Sequence, residues 1–234
     1  MNALLLLLLD SRAPAGAHHH SGGMEAAVAT GLVTDLTGLE DFCRAKLRTS
    51  ARVGAAFAAA ASRLQSSDPG RNGLGAFQER WASLDAEFEA RTPSEAARAA
   101  SRQLGGGLVR LLRSALPEAD LVTPWTRCRR PAPHHPLVLG AGVALAGGAP
   151  ELAARAAALA ACAAPASAAI RLLGLDPFAV QAMLARLAPA IDECAKAAAR
   201  RAGQPPPCLP ANGAPALDLL ADYHLTAEVR LFAS

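Results

Sequence analysis

Between residues 74 and 88 the large apolar side chains Leu74, Phe77, Trp81, Leu84 and Phe88 recur at spacings of three and four. That period puts them on one stripe of an α-helix and scatters them over both faces of a strand. The stripe holds three of the chain's nine aromatics, in a sequence that is only 4% aromatic and 52% hydrophobic. Alanine supplies much of the rest, so the interior is expected to be helices at close approach with Leu, Val and Ala between them. Few windows alternate apolar and polar residues or concentrate β-branched residues, as strands require. The expected fold is all-α, a single-domain helical bundle of roughly eight to ten helices. A chain of 234 residues buries one substantial core without needing a second.

Local signals place the helices. Leu4 to Leu9 is apolar all round and calls for burial against other helices or a second subunit. Ser21 is placed to cap a helix carrying Glu25 and Val28, with Gly31 ending it. Thr37-Gly38-Leu39-Glu40 reads as a capping box for one helix running to about Leu64, with Arg44, Lys46, Arg48 and Arg52 on a solvated face. Asp68 to Gly73 is a turn cluster, and Thr92-Pro93-Ser94-Glu95 reads as a second capping box with proline at the first helical position. Its helix contains Gly105-Gly106-Gly107, which points to a close backbone approach by another helix or to a kink. Pro136–Leu145, Pro150–Cys162 and Ala166–Leu173 read as short Ala-rich helices separated by Gly and Pro breaks. Asp176-Pro177 caps a longer helix that Pro189 should bend. A Pro-rich, mobile loop is expected at 204–215, then a short helix from about Ala216 and a tail at 228–234.

Charge and cysteines exclude some classes. A net charge of +3 from 23 basic and 20 acidic residues is far from the basic stripe of a nucleic-acid binder. The five cysteines, Cys43, Cys128, Cys162, Cys194 and Cys208, are odd in number and contain no C-x-x-C pair, which argues against a disulfide framework and fits a reducing cytoplasm. The leucine run is too short for a membrane span and lacks the basic start of a signal peptide.

No nucleophile and base constellation with usable spacing is present, nor a G-x-S-x-G, a Walker lysine, an H-E-x-x-H or a dinucleotide fingerprint, and Glu87 and Glu89 read as solvated carboxylates. The most concentrated chemistry is the loop Asp10 to Glu25, DSRAPAGAHHHSGGME. His18 and His20 are candidate metal ligands, but a lasting site needs further ligands, and the same imidazoles equally suit a contact surface. Cys128 with His134 and His135 is a weaker metal candidate in the Pro-rich connection from Pro117 to Pro136.

Four separated places, in order, resemble one family. Pro14-x-Gly16 followed by His20-Ser21-x-Gly23-Met24-Glu25 is similar to the P-x-G-x-[FY]-x-[HY]-S-x-G-L-E signature of the urease accessory protein UreF, with His18 at a position more often aromatic and Met24 in place of leucine. Arg98 with Leu104-Gly105 is the second place, and Ser167 to Leu172 with Gln181 the third, where Gly174-Leu175-Asp176-Pro177 departs from the family's Pro-Leu-Gly-Gln run. His224 with Arg230-Leu231-Phe232-Ala233-Ser234 resembles the family's C-terminal R-L-[FY]-x-S ending.

The resemblance implies an all-α, usually dimeric protein without catalysis of its own. It implies partnership with UreD (also called UreH), the GTPase UreG and, through their complex, apo-urease, with no nucleic acid or membrane. Nickel would be handled by the complex and no cofactor held stably here. Carried over residue by residue, Gly16, His18, His20, Glu25 and Arg171 would face the GTPase, His224, Arg230 and Phe232 would dock on UreD, and Leu4 to Leu9 would contribute to a dimer. Two other classes compete with this reading. A helical transcriptional regulator would need a basic helix-turn-helix, and a metal-dependent helical enzyme would need the His18–His20 cluster to retain a metal.

Overall fold

The structure, a computed structural model, describes residues 3–9, 20–67, 73–117 and 132–225. The described residues form ten α-helices and no strand: α1 Ala3–Leu9, α2 Met24–Ala29, α3 Leu36–Arg48, α4 Ser50–Gln65, α5 Leu74–Ala90, α6 Glu95–Ala115, α7 His135–Leu145, α8 Pro150–Leu173, α9 Pro177–Ala199 and α10 Pro215–Leu225. The fold is all-α.

The Ala-rich α4 lies at the centre and touches α3, α5, α7, α8 and α9. Its small side chains let neighbours come close. At Gly140 of α7 a Cβ would stand 2.2 Å from the Ala58 carbonyl oxygen, so only glycine permits this approach of backbones. On one side of α4, Met24, Leu39, Phe42, Met183 and Leu187 join α2, α3, α8 and α9. On another, the α5 stripe packs as its period requires: Phe77, Trp81, Leu84 and Phe88 are buried, and Phe88 meets Phe57 of α4 edge-on with ring centroids 5.3 Å apart. Leu74, at the first helical position, stays partly exposed.

Several boundaries differ from those read in the sequence. Asp35, not Thr37, caps α3: its carboxylate accepts from Gly38 N at 2.8 Å, a charged acceptor one position ahead of the helix. Glu40 is thereby left to pair with Arg44 at 2.6 Å and with Arg186 of α9 at 3.0 Å. The expected helix to Leu64 is two helices, broken at Thr49, whose hydroxyl donates to the Ala45 carbonyl. Ser94 is the cap of α6, with Pro93 just outside the helix. Gly23, in the left-handed region, precedes α2 where Ser21 was expected to cap it.

Residues 150–173 are one helix, not two, and run through Pro165. Proline removes a single helical hydrogen bond, and the packing of α8 on α3, α4 and α9 outweighs that loss. By length and composition α8 could also cross a membrane, with a mean hydropathy of 1.6, but one face is buried in the core and Arg155 pairs with Glu151 and Asp192. Asp176 caps α9 as expected, accepting from Phe178 N and Ala179 N.

The loop at 204–215 is pinned down, contrary to the expectation of mobility. The Arg91 guanidinium donates to the carbonyls of Pro207 and Pro210, and Leu209 is buried beside the aromatic stripe. Among the described side chains of α1, Leu5 is buried against α7, while Leu6 and Leu7 are 55% and 65% exposed.

Candidate partner interface

The turn ahead of α2 is built by two successive glycines with positive φ, Gly22 at 61° and Gly23 at 90°. Such a pair reverses the chain at no Cβ cost and points the Gly22 carbonyl inward. The Lys46 ammonium of α3 donates to that carbonyl at 2.9 Å and lies 5.7 Å from the Phe42 ring centroid. Lys46 was expected on a solvated face. Instead it spends its charge on the turn, and burial lowers its pKa. Pro165 of α8 closes the other side, its Cδ 3.3 Å from where a Gly22 Cβ would be.

His20, Ser21, Met24 and Glu25 are all buried in this turn. His20 and Glu25 therefore shape the turn from inside. Burial, reinforced by the charge of His20, pushes His135 at the start of α7 down to about 4, so His20 and His135, far apart in sequence, are neighbours in space. Arg171 is exposed in the last turn of α8, where a cation suits the helix dipole, ahead of the left-handed Gly174.

The C-terminal helix joins this place. α10 packs on both α2 and α6, and Asp222 accepts from the Ser94 hydroxyl at 2.6 Å and from Ala96 N at 3.3 Å. Burial and the neighbouring Asp222 raise the Asp218 pKa, with Lys46 opposing them. His224 falls in the last turn of α10, whereas Gly16, His18, Arg230 and Phe232 lie outside the described residues. The first and last signature segments of the sequence thus lead into one neighbourhood.

A second polar network holds the α5–α6 corner. His134 is fully buried, with Nε2 2.7 Å from a Glu89 carboxylate oxygen and Nδ1 3.1 Å from the Ser101 hydroxyl. Asp85 accepts from His134 N, and Arg102 reaches Asp85 at 3.0 Å, Glu89, and the Ala132 carbonyl. Arg98 donates to the Thr92 and Pro93 carbonyls and pairs with Glu89. Partial burial raises the Glu89 carboxyl, but the hydrogen bonds from Arg102 and His134 outweigh it and hold the group below its usual range. Glu89 is thus a hub and not one solvated carboxylate among many. Its partner His134, 45 residues away, gave the sequence no signal.

Gly105 explains itself here. A Cβ at that position would stand 1.9 Å from the Pro133 carbonyl oxygen, so the close approach is made by the strap leading into α7, not by a helix.

No group of three or more His, Cys, Asp or Glu side chains among the described residues is placed to hold a metal ion. Both ring nitrogens of His134 are already engaged, and Cys128 lies outside the described residues.

Comparison with known proteins places this arrangement. The family model UreF matches residues 33–188, which includes Arg98 and Arg171. The chain belongs to the UreF family of urease accessory proteins. The urease accessory protein UreF of Mycolicibacterium vanbaalenii is 44% identical over 234 residues, covering 99% of this chain and 98% of its own. Those of Mycobacterium marinum and Mycobacterium tuberculosis are 41% and 39% identical over 232 residues, each covering 99% of this chain and 98% of the relative. The similarity therefore extends over both ends, beyond the span matched by the UreF model. These relatives are named as accessory proteins, not as enzymes or transcriptional regulators.

Proposed function

We propose that this chain is the scaffold of a urease maturation complex, bridging UreD (UreH) and the GTPase UreG and coupling the nucleotide state of UreG to delivery of nickel into apo-urease. One observation carries the reading: α10, which leads to the C-terminal signature, is laid against α2, where the N-terminal signature ends at Met24-Glu25, and against α6. Two segments presented from one framework can respond together. A partner that binds one differently in its two nucleotide states thereby changes the other's affinity.

In this reading the turn at Gly16 to Glu25 and the exposed Arg171 face UreG. His20 and Glu25 act through the shape they give the turn, because both are buried in it. His224, Arg230 and Phe232 dock on UreD. The exposed Leu6 and Leu7 are offered to a second copy, giving a homodimer. Residues 1–234 act as one domain in the cytoplasm, no cofactor is held stably, and nickel is cargo of the complex.

The test separates the two contacts. Deleting residues 230–234 should abolish co-purification with UreD, and Arg171→Ala should reduce urease activation while UreD binding persists. Retained UreD binding by the deletion, or full activation by the Arg171 variant, would remove the corresponding assignment.

A further inference from the structure

Two cysteines that the sequence sets 119 residues apart meet in the interior. Cys43 of α3 and Cys162 of α8 are both completely buried. The Cys43 Sγ lies 3.8 Å from the Cys162 carbonyl oxygen, and the Cys162 Sγ lies 4.0 Å from the Cys43 carbonyl oxygen. In this reciprocal contact across two packed helices each thiol is directed at the other cysteine's backbone carbonyl, which sets the two residues side by side.

We infer that Cys43 and Cys162 form a thiol modification site, at which a peroxide converts the pair to an intramolecular disulfide joining α3 to α8. Its position gives it consequence. Lys46 stands three residues after Cys43 and Pro165 three residues after Cys162, one helical turn in each case, and these are the two residues that clamp Gly22. A bond between the sulfurs fixes the jaws that hold the histidine turn. The inference rests on the thiol geometry and not on the identity of any partner.

The chemistry balances with hydrogen peroxide as the oxidant. The Cys162 thiolate is the better nucleophile, because the neighbouring Cys43 thiol and the Lys46 ammonium together lower its pKa against the effect of burial. It attacks a peroxide oxygen, the O–O bond breaks, and the departing hydroxide takes a proton to leave as water, giving a sulfenic acid at Cys162. The Cys43 sulfur then attacks the Cys162 sulfur, the S–O bond breaks, and the Cys43 proton leaves with the hydroxide as a second water. Two thiols and one peroxide become one disulfide and two waters. Burial of both sulfurs makes access depend on local opening, so oxidation should be slow relative to an exposed thiol such as Cys208.

The experiment uses the full chain carrying Cys128→Ser and Cys208→Ser, which leaves Cys43, Cys162 and Cys194. The folded protein is treated with hydrogen peroxide, quenched, unfolded, alkylated and mapped by mass spectrometry. Cys43 and Cys162 should lose alkylation together, one for one, and yield a cross-linked peptide reversible by dithiothreitol, while Cys194 remains alkylated. The same treatment in denaturant should lower the Cys43–Cys162 yield relative to the folded protein. Pairing of Cys162 with Cys194, oxidation of Cys162 to sulfinic acid with Cys43 still free, or equal yields folded and unfolded would overturn the inference.

Discussion

The ammonium of Lys46 donates to the carbonyl of Gly22 at 2.9 Å, tying the turn before α2 to the last turn of α3. Within itself the turn is closed by one backbone hydrogen bond, Met24 N to the Ser21 carbonyl at 3.2 Å, and the Lys46 bond adds its tie to the rest of the fold. Replacing Lys46 by Met keeps the stem's packing and leaves the carbonyl without that donor. The expected cost is about 1–3 kcal/mol, with faster hydrogen exchange at the amides of residues 21–25. Unchanged exchange there would show that the turn holds itself.

The glycine run in α6 is expected to respond unequally. Gly105→Ala drives a Cβ into the Pro133 carbonyl, a backbone atom fixed by the Glu89–His134 network beside it, and should cost about 3 kcal/mol or more. Gly106→Ala meets only the Ala132 methyl at 3.3 Å and gains helix propensity, so it should stay within about 1 kcal/mol of wild type. Urea unfolding of the two variants checks the contrast, and equal midpoints would contradict it.

Acid should destabilise the protein through its histidines before its carboxylates titrate. Burial, then the charge of His20, holds His135 at about 4 instead of 6.5, and burial likewise lowers His134 despite the opposing Asp85 and Glu89. The unfolded chain takes up these protons at higher pH than the native one. Stability is therefore complete above about pH 6.5 and falls as pH drops toward about 4, with a contribution from His135 on the order of 3 kcal/mol. Urea midpoints between these limits should fall steadily, and His135→Asn should flatten the fall. A flat profile in the wild-type protein would contradict the lowered pKa values of the two rings.

What the sequence revealed depended on range. The α5 stripe was legible because its period is local, and Asp176-Pro177 because a cap acts within one turn. Pro165 was misleading, since its cost is local whereas the packing that overrides it comes from α3, α4 and α9. Lys46 looked solvated until Gly22, 24 residues earlier, supplied a carbonyl. Glu89 and His134, or Cys43 and Cys162, carry no mark in sequence of the partner each will meet. The signature segments were visible as motifs, but the packing of α10 on α2 and α6 was not.

The scaffold reading is tested most directly by mixing the purified chain with UreD and UreG and following all three by size-exclusion chromatography, with GTP and with GDP. Co-elution of the three, changing with the nucleotide and lost when residues 230–234 are removed, is the result expected. If UreD and UreG elute apart from the intact chain under both nucleotides, the claim that it bridges them is contradicted.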